Sequence, residues 1–465
     1  MISGDTIAAI ATAPGRGGVA VVRVSGPEAF SIGEKVTSAD GRIPRAEGES
    51  RSDALGVMAG WSADRMTNRI SAHHALFYDL PSDQPTNRTT DHVIDEGILL
   101  AFKSPHSYTG EDVVEFQCHG GTVTPRRVLA ACLAAGARLA RRGEFTERAF
   151  LNGRIDYVQA ESVLDLIDAK TPRAADAALE GLSGRRAREC RALYEQVLGL
   201  STRIEHALDI DEGELPDDFL PFVMSSVSRL KSSLRDAVRH ATEGRLLKSG
   251  ALVVLAGPPN AGKSSLLNAL LDENRAIVSD IPGTTRDSIE AWIDLDGWPI
   301  RLVDTAGLRE AQDEVEVEGV KRSEDLIARA DVIVGLGGLE SLGGLGGRLI
   351  AVHAKCDLGR REGLNVSAKT GEGLEDLKRA IVAKLEEKVA SSDDGDVPEG
   401  DVAAYQEALA LLDGGRETRD ARREEDLVLL ANAVRAAAER LGEAIGATYS
   451  SDMLDNLFSR FCVGK

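Results

Sequence analysis

The chain has 465 residues, 28% of them charged and 4% aromatic, with a formal net charge of −20 at pH 7; that length exceeds what one hydrophobic core organises and implies about two to four domains. The acidic balance excludes a protein that coats nucleic acid non-specifically, so any RNA contact needs a local basic surface or a partner's. No window holds the roughly 18 uninterrupted apolar residues of a membrane span, and the opening MISGDTIAAIATAPGRGG lacks the basic-then-apolar layout of a signal peptide, so a soluble, cytoplasmic protein without membrane contact is expected.

Residues 6–12 (TIAAIAT) and 18–25 (GVAVVRVS) read as strands joined by Pro14-Gly15-Arg16-Gly17-Gly18. With no helix following, that link is either a hairpin turn, the commoner use, or a cradle for an anion. Arg23 lies inside the second strand, where an arginine is out of place as core. A helix is expected over 28–36, and the polar, weakly periodic 43–70 reads as an inserted loop. Strands resume at 72–78 and 97–102; Ser107-Tyr108-Thr109-Gly110-Glu111-Asp112 leads into a strand ending at Cys118, and His119-Gly120-Gly121 opens a helix near 123–135. His73, His74 and His119 are too dispersed for a metal site and read as polar strand ends. The cysteines at 118, 132, 190, 356 and 462 are odd in number and form no C-x-x-C pair, so most read as small buried hydrophobes.

From 123 to 249 the pattern turns helical: Val163, Leu164 and Ile167, then Leu193, Val197, Leu200, Ile204 and Leu208, then Val227, Leu230, Leu234 and Val238 recur at threes and fours. Arg185, Arg186, Arg188 and Arg191 read as a solvated helix face.

Residues 251–264, ALVVLAGPPNAGKS, carry the chemistry. An apolar strand from Leu252 to Leu255 runs into Gly257-Pro258-Pro259-Asn260-Ala261-Gly262-Lys263-Ser264, which fits G-x-x-x-x-G-K-[ST]. Glycines there turn backbone N–H groups around phosphate oxygens, and the helix that follows directs its positive end at the same charge. Lys263 reaches the terminal phosphates, Ser264 ligates Mg²⁺, and Asn260, Ala261, Gly262 and Ser265 complete the wrap. A second apolar strand, Ile300 to Val303, ends in Asp304-Thr305-Ala306-Gly307, where Asp304 holds Mg²⁺ through water and Gly307 senses the γ-phosphate. Between them Gly283-Thr284-Thr285-Arg286-Asp287 offers hydroxyls to the metal, Thr285 among them. Lys355, Asp357, Ser367 and Ala368 stand where base-reading loops belong, and the whole resembles a P-loop GTPase domain of Ras-like α/β fold.

Two positions depart from the usual GTPase pattern. Ala354 stands where the base-reading motif carries asparagine; Asp357, which accepts two hydrogen bonds from a guanine edge, is retained, so guanine is expected with weaker affinity. Leu308 stands where many GTPases place a glutamine that orients the attacking water, so another group must do so. The segment 335–347, GLGGLESLGGLGG, is glycine-rich where a strand should pass into an ordered loop and helix, which implies a less stable half of the domain. Ser391 to Gly400 reads as a linker, and Leu427, Leu430, Val434, Ala438, Leu441 and Ile445 then trace one helix face. The expected architecture is multidomain α/β plus all-α: an N-terminal α/β domain over 1–122, a discontinuous helical domain over 123–249 and 386–465, and the GTPase inserted at 250–385.

Four blocks coincide: Pro14 to Gly18, the stretch GEFTERAFLNG from Gly143 to Gly153, the inserted GTPase, and the terminal Phe461-Cys462-Val463-Gly464-Lys465. Together they resemble the MnmE (TrmE) family of tRNA modification GTPases over essentially the whole chain. The resemblance implies a homodimer whose N-terminal domains bind 5,10-methylene- or 5-formyl-tetrahydrofolate. It also implies a heterotetramer with the FAD- and NADH-dependent flavoprotein MnmG, adding an aminomethyl or carboxymethylaminomethyl group to C5 of the wobble uridine of certain tRNAs. By motif position the folate contacts are Arg23, Glu115, Arg154 and Lys465, although the family usually has lysine where Arg154 stands and a guanidinium needs different geometry. Cys462 is either a buried apolar cysteine or, as the resemblance implies, a thiol near the folate that takes part in chemistry.

The family also implies an answer to Leu308. Its GTPases hydrolyse GTP when two G domains meet and K⁺ stabilises the charge; here Asn260, Ser279, Ile281 and Thr284 would hold K⁺, Ser279 and Thr284 would also line the nucleotide, and Glu316 would orient the attacking water. A rival reading is a GTP switch in ribosome assembly that modifies nothing, for which Arg23, Glu115 and the terminal Cys462 to Lys465 have no use.

Overall fold

The computed structural model describes residues 4–37, 70–78, 93–208, 216, 218–273, 290–304, 324–337, 346–391, 401–414, 424–444, 454 and 457–465. Met1–Glu161 with Tyr449–Lys465 make one unit and Ser162–Thr448 a second.

In the first unit β1 (Ile7–Ile10) and β2 (Val19–Ser25) pair antiparallel, so the glycine-rich link between them is a hairpin connection. Helix α1 (Ala29–Thr37) follows, then β3 (Ile70–Tyr78), β4 (Val93–Phe102) and β5 (Val113–His119). With β6 (Arg138–Leu139) they form a six-stranded sheet in the order β3-β4-β5-β2-β1-β6, antiparallel except between β1 and β6. One face of the sheet packs on α1 and on α2 (Thr124–Ala134); Phe77 and Phe116 meet edge to face with centroids 5.4 Å apart.

This unit is larger than the 1–122 expected from sequence. Helix α2 buries Val128, Ala131 and Cys132 in the sheet's own core, and α3 (Glu144–Leu151) buries Phe145 beside Ile7 and Ala9, so neither belongs with the later helices. The terminal residues, expected to close the helical domain, lie here as well, because Phe458 and Phe461 are buried and Phe458 stacks near Phe150 at 6.4 Å.

Helix α4 (Tyr157–Asp168) leads into the second unit. There α5 (Pro172–Leu182) starts at Thr171, whose hydroxyl accepts from the Ala174 N–H at 3.2 Å as an N-cap does. Helices α6 (Arg185–Leu208) and α7 (Phe219–Ser249) precede a second sheet, and α10 (Asp401–Gly414) and α11 (Glu424–Ala444) follow it. These four helices share one core, in which Val197, Ile204 and Leu234 meet Leu412, Leu430 and Val434 from beyond the sheet. Between them lie β7 (Ala251–Ala256), α8 (Lys263–Glu273), β8 (Glu290–Leu295), β9 (Trp298–Asp304), β10 (Val332–Leu336), β11 (Leu349–Ala354), β12 (Leu364–Val366) and α9 (Leu374–Ala390). The strand order is β12-β11-β10-β7-β9-β8, parallel except that β8 runs against β9. All six residues of β7 are buried, as an unbroken apolar run in a sheet covered on both faces requires. Among the described residues no helix is long and apolar enough to cross a membrane.

Candidate functional site

In an open parallel sheet ligands bind at the carboxyl ends of the strands where the chain order reverses. Here that point lies beyond β7, between β9 and β10. Gly257 leaves β7 so close to β10 that a Cβ would stand 2.6 Å from the Leu336 carbonyl oxygen. Asn260 at φ 61° and Gly262 at φ 99° then turn the loop through left-handed backbone. The loop closes on the N-terminus of α8, whose first residue, Lys263, is buried and donates to the carbonyl oxygens of Gly257 and Pro258, both at 3.0 Å. Its ammonium is thereby held by the loop's own carbonyls at the N-terminus of a helix, where a run of phosphates binds.

Parallel pairing of β7 with β9 sets Leu255 opposite Asp304 and brings the β9 carboxylate to the loop. Ser264 Oγ donates to Asp304 Oδ2 at 2.5 Å, and Asp304 is buried. A hydroxyl and a carboxylate in contact at a phosphate loop are the oxygen donors that Mg²⁺ takes, so the residues present fit that ion.

The β11–β12 pairing, with Ala354 opposite Val366, delivers two further loops to the same end of the sheet. The fully buried Ser367 donates through Oγ to Asp357 Oδ1 at 2.8 Å, which leaves an exposed carboxylate held at a fixed angle. Lys355 takes left-handed backbone at φ 60° and donates from Nζ to the Asn260 carbonyl at 2.9 Å, tying the base loop to the phosphate loop. Ala354 packs against the sheet's core and offers no polar atom.

A second constellation lies in the first unit. Arg23 on β2 stands opposite Glu115 on β5, and Arg23 Nε donates to Glu115 Oε1 at 2.7 Å. The guanidinium lies 5.2 Å from the Tyr108 ring centroid and 5.6 Å from that of Phe145. Tyr108 is itself fixed by a 2.8 Å hydrogen bond with Thr146, and burial raises its pKa against the opposing effects of that bond and of Arg23. The chain end is laid along α3 by backbone bonds: Arg142 bridges Val463, Gly143 N donates to Cys462 O at 3.4 Å, and Phe145 N donates to Lys465 O at 3.3 Å. Gly464 takes φ 103° with its Cα so close to β1 that a Cβ would stand 2.2 Å from the Ile10 carbonyl oxygen. Lys465 is thus set within charge–charge reach of Arg23 and Glu115. Its ammonium is held below the usual lysine value by burial and by the Arg23 charge, against the opposing pull of Glu115 and Cys462.

A family model described as "GTP-binding protein TrmE N-terminus" matches residues 6–154, and one described as "MnmE helical domain" matches 157–462. Curated relatives called "tRNA modification GTPase MnmE" are similar throughout. That of Symbiobacterium thermophilum is 40% identical with 99% of each chain covered, and that of Heliobacterium modesticaldum is 38% identical with 99% of this chain and 100% of the relative covered. That of Xanthomonas campestris pv. campestris (strain B100) is 39% identical over 100% of this chain and 99% of its own. The chain belongs to the MnmE family of tRNA modification GTPases. Membership in a family of tRNA modification GTPases sets the non-modifying switch aside.

Of the residues that the phosphate-loop and base-reading motifs and the MnmE resemblance single out, the structure gathers Asn260, Ala261, Gly262, Lys263, Ser264, Asp304 and Lys355 at one end of the sheet, with Asp357, Ser367 and Ala368 in the adjoining loops. Ser265 is exposed as the third residue of α8. Ser279, Ile281, Thr284, Thr285, Gly307, Leu308 and Glu316 lie outside the described residues, as do positions 338–345 of the glycine-rich segment. In the first unit Arg23, Glu115 and Lys465 come together; Arg154 is exposed and donates from Nε to the Ser107 carbonyl at 3.3 Å, next to Tyr108. Cys462 is exposed, so the buried apolar reading of it does not hold.

Sequence reasoning missed the charge network beneath this pocket. Arg148, almost wholly buried, pairs with Asp5 at 2.7 Å, with Glu111 at 3.2 Å and with Glu144 at 3.2 Å, while Arg138 bonds both Asp5 and Glu144. Burial alone would raise the Glu144 pKa; hydrogen bonds from Arg138, the Arg141 N–H and Arg148 overcome it and bring the carboxyl down to about 2. The one available signal was the i,i+4 spacing of Glu144 and Arg148 inside GEFTERAFLNG.

Proposed function

We propose that this MnmE-family GTPase is activated by K⁺ and works as a homodimer with the FAD- and NADH-dependent partner MnmG. Its product is an aminomethyl or carboxymethylaminomethyl group on C5 of the wobble uridine of certain tRNAs, with the carbon supplied by a tetrahydrofolate. The observation that carries the reading is the meeting of Arg23, Glu115 and the terminal Lys465, delivered by two strands and a chain end far apart in sequence. Two cations and one carboxylate, walled by Tyr108 and Phe145, suit a flat heterocycle that bears acidic groups. Arg154 borders the same loop and would add a contact from its exposed side. Cys462, exposed beside Lys465, would face the bound ligand and share in its chemistry.

At the nucleotide, Lys263 would hold the terminal phosphates, and Ser264 and Thr285 would hold Mg²⁺ with Asp304 behind it, the ion supplying positive charge to the phosphates. Asn260, Ser279, Ile281 and Thr284 would hold K⁺, and Glu316 would orient the attacking water. Asp357, fixed by Ser367, would accept from the guanine edge.

Calorimetric titration with 5-formyltetrahydrofolate tests the reading. Saturable binding to the native chain, weakened about tenfold or more in Lys465→Ala by loss of a charge-assisted hydrogen bond, is the expected result. No heat of binding to the folded native chain would remove the folate from the account.

A further inference from the structure

Among the described residues, two of the places where the inserted GTPase touches the helices of its own unit differ in kind. At the first, the buried Asp331 carboxylate accepts from the Leu252 N–H at 2.8 Å, from Arg245 Nη2 at 3.3 Å and from Lys388 Nζ at 2.9 Å. Arg245 lies on α7, which leads into the sheet, and Lys388 on α9, which leads out of it, so a single carboxylate fastens both passages of the chain. Each oxygen has a partner, and the contact is a fixed point.

At the second place, α5 meets the turn between β8 and β9. Thr171 Oγ1 donates to the Gly297 carbonyl at 2.7 Å, and the Arg173 guanidinium lies 4.1 Å from the Trp298 ring centroid while it pairs with Glu243 on α7 at 2.5 Å. Gly297, at φ 85°, has room for no side chain beside Arg173, since a Cβ would stand 3.0 Å from the Arg173 Cβ. Polar atoms are left unsatisfied here. Trp298 is 1% exposed, yet its indole Nε1 has no hydrogen-bond partner; the same holds for Thr242 Oγ1 on α7, the helix packed against β9. Buried donors without acceptors are rare in protein interiors and costly. A buried indole N–H without an acceptor makes this contact costly as it stands, so it is the one that gains most from repacking.

Strand β9 joins this seam to the nucleotide. Trp298 is its first residue and Asp304, bonded to Ser264 of the phosphate loop, is its last, so the two ends are about 20 Å apart on a stiff strand paired on one side with β7 and on the other with β8. We propose that Arg173 is a positioning residue of a latch in which Thr171 and Arg173 grip Gly297 and Trp298 and carry the nucleotide state at Asp304 into the helical domain. Asp331 is the pivot and the Trp298 seam is the part that repacks. Arg173 touches no nucleotide and acts through β9, so its loss uncouples GTP use from tRNA modification without removing either site.

The proposal rests on nucleotide binding at the phosphate loop, which calorimetry measures separately. The chain has three tryptophans, so a Trp61→Phe, Trp292→Phe chain leaves Trp298 as its sole emitter. With both nucleotides shown bound, emission and iodide quenching of Trp298 are expected to differ between GDP and a non-hydrolysable GTP analogue. Arg173→Ala, in the same chain, is expected to erase that difference while nucleotide affinity stays within about twofold. In the complete modification assay the GTP consumed per uridine modified is expected to rise about fivefold or more in Arg173→Ala. Arg173→Lys, which keeps the charge beside Glu243 but cannot stack as a plane, should behave alike; it carries the test if Arg173→Ala does not fold by circular dichroism. Trp298 emission identical in the two bound states, or an unchanged GTP cost per uridine in a folded Arg173 variant, overturns the proposal.

Discussion

The nucleotide end of the second unit and the basic pocket of the first are built in opposite ways. The phosphate loop is one run of eight residues, Gly257 to Ser264, whose shape comes from its own backbone: left-handed turns at Asn260 and Gly262, and a lysine held by carbonyls of the same loop. The pocket has no such run. Arg23, Glu115 and Lys465 meet only because β2 pairs with β5 and the chain end is laid against α3. A site made by local backbone survives changes elsewhere, whereas one assembled from distant segments depends on whatever holds the segments in place.

That difference predicts where each site breaks. The pocket rests on buried ion pairs, so Arg148→Ala, which takes the cation from Glu111 and leaves Asp5 and Glu144 to Arg138, should cost about 3–5 kcal/mol and remove folate binding although Arg148 lies outside the pocket. Urea unfolding followed by circular dichroism reads the first effect and calorimetry the second. The phosphate loop should break without unfolding: Lys263→Ala is expected to slow GTP turnover about 10²–10³-fold while the melting temperature stays close to native, as steady-state phosphate release and a thermal scan would measure.

Acid sharpens the same contrast. The folded Glu144 value, about 2, lies below its ordinary 4.5, so its stabilisation is present above pH 4.5 and is lost as pH falls towards 2. The loss amounts to about 3 kcal/mol and should show in unfolding free energies between pH 5 and pH 2.5, with a flatter slope in Glu144→Gln. The smallest expected effect is at the base: Ala354→Asn should tighten guanine nucleotides about two- to tenfold, the worth of one neutral hydrogen bond, measured by competition with unlabelled GDP.

Legibility from sequence followed the same divide. Gly257 to Ser264 declares itself because backbone sterics fix the spacing of its residue types, and Asp304 follows from the apolar strand before it. From its own neighbours Arg23 stands out only as an arginine misplaced in a strand; Glu115, 92 positions away, enters through the family resemblance, since no local pattern encodes the strand register that pairs them. The extent of the first unit was misjudged for a related reason: helical periodicity in 124–134 gives the element but not the surface it covers, and Val128 and Cys132 face the sheet. The Arg148 network had no reading from sequence, since nothing in GEFTERAFLNG says that its helix is buried.

The most direct measurement is nucleoside mass spectrometry of unmodified tRNA incubated with this chain, its flavoprotein partner, GTP, K⁺, methylenetetrahydrofolate, NADH, and glycine or ammonium. The account predicts a new C5-aminomethyl-type uridine that disappears in Lys263→Ala and, separately, in Lys465→Ala, one variant for each site. Unchanged uridine with the native chain folded and consuming GTP, while a known tRNA modification GTPase works in parallel, would contradict it.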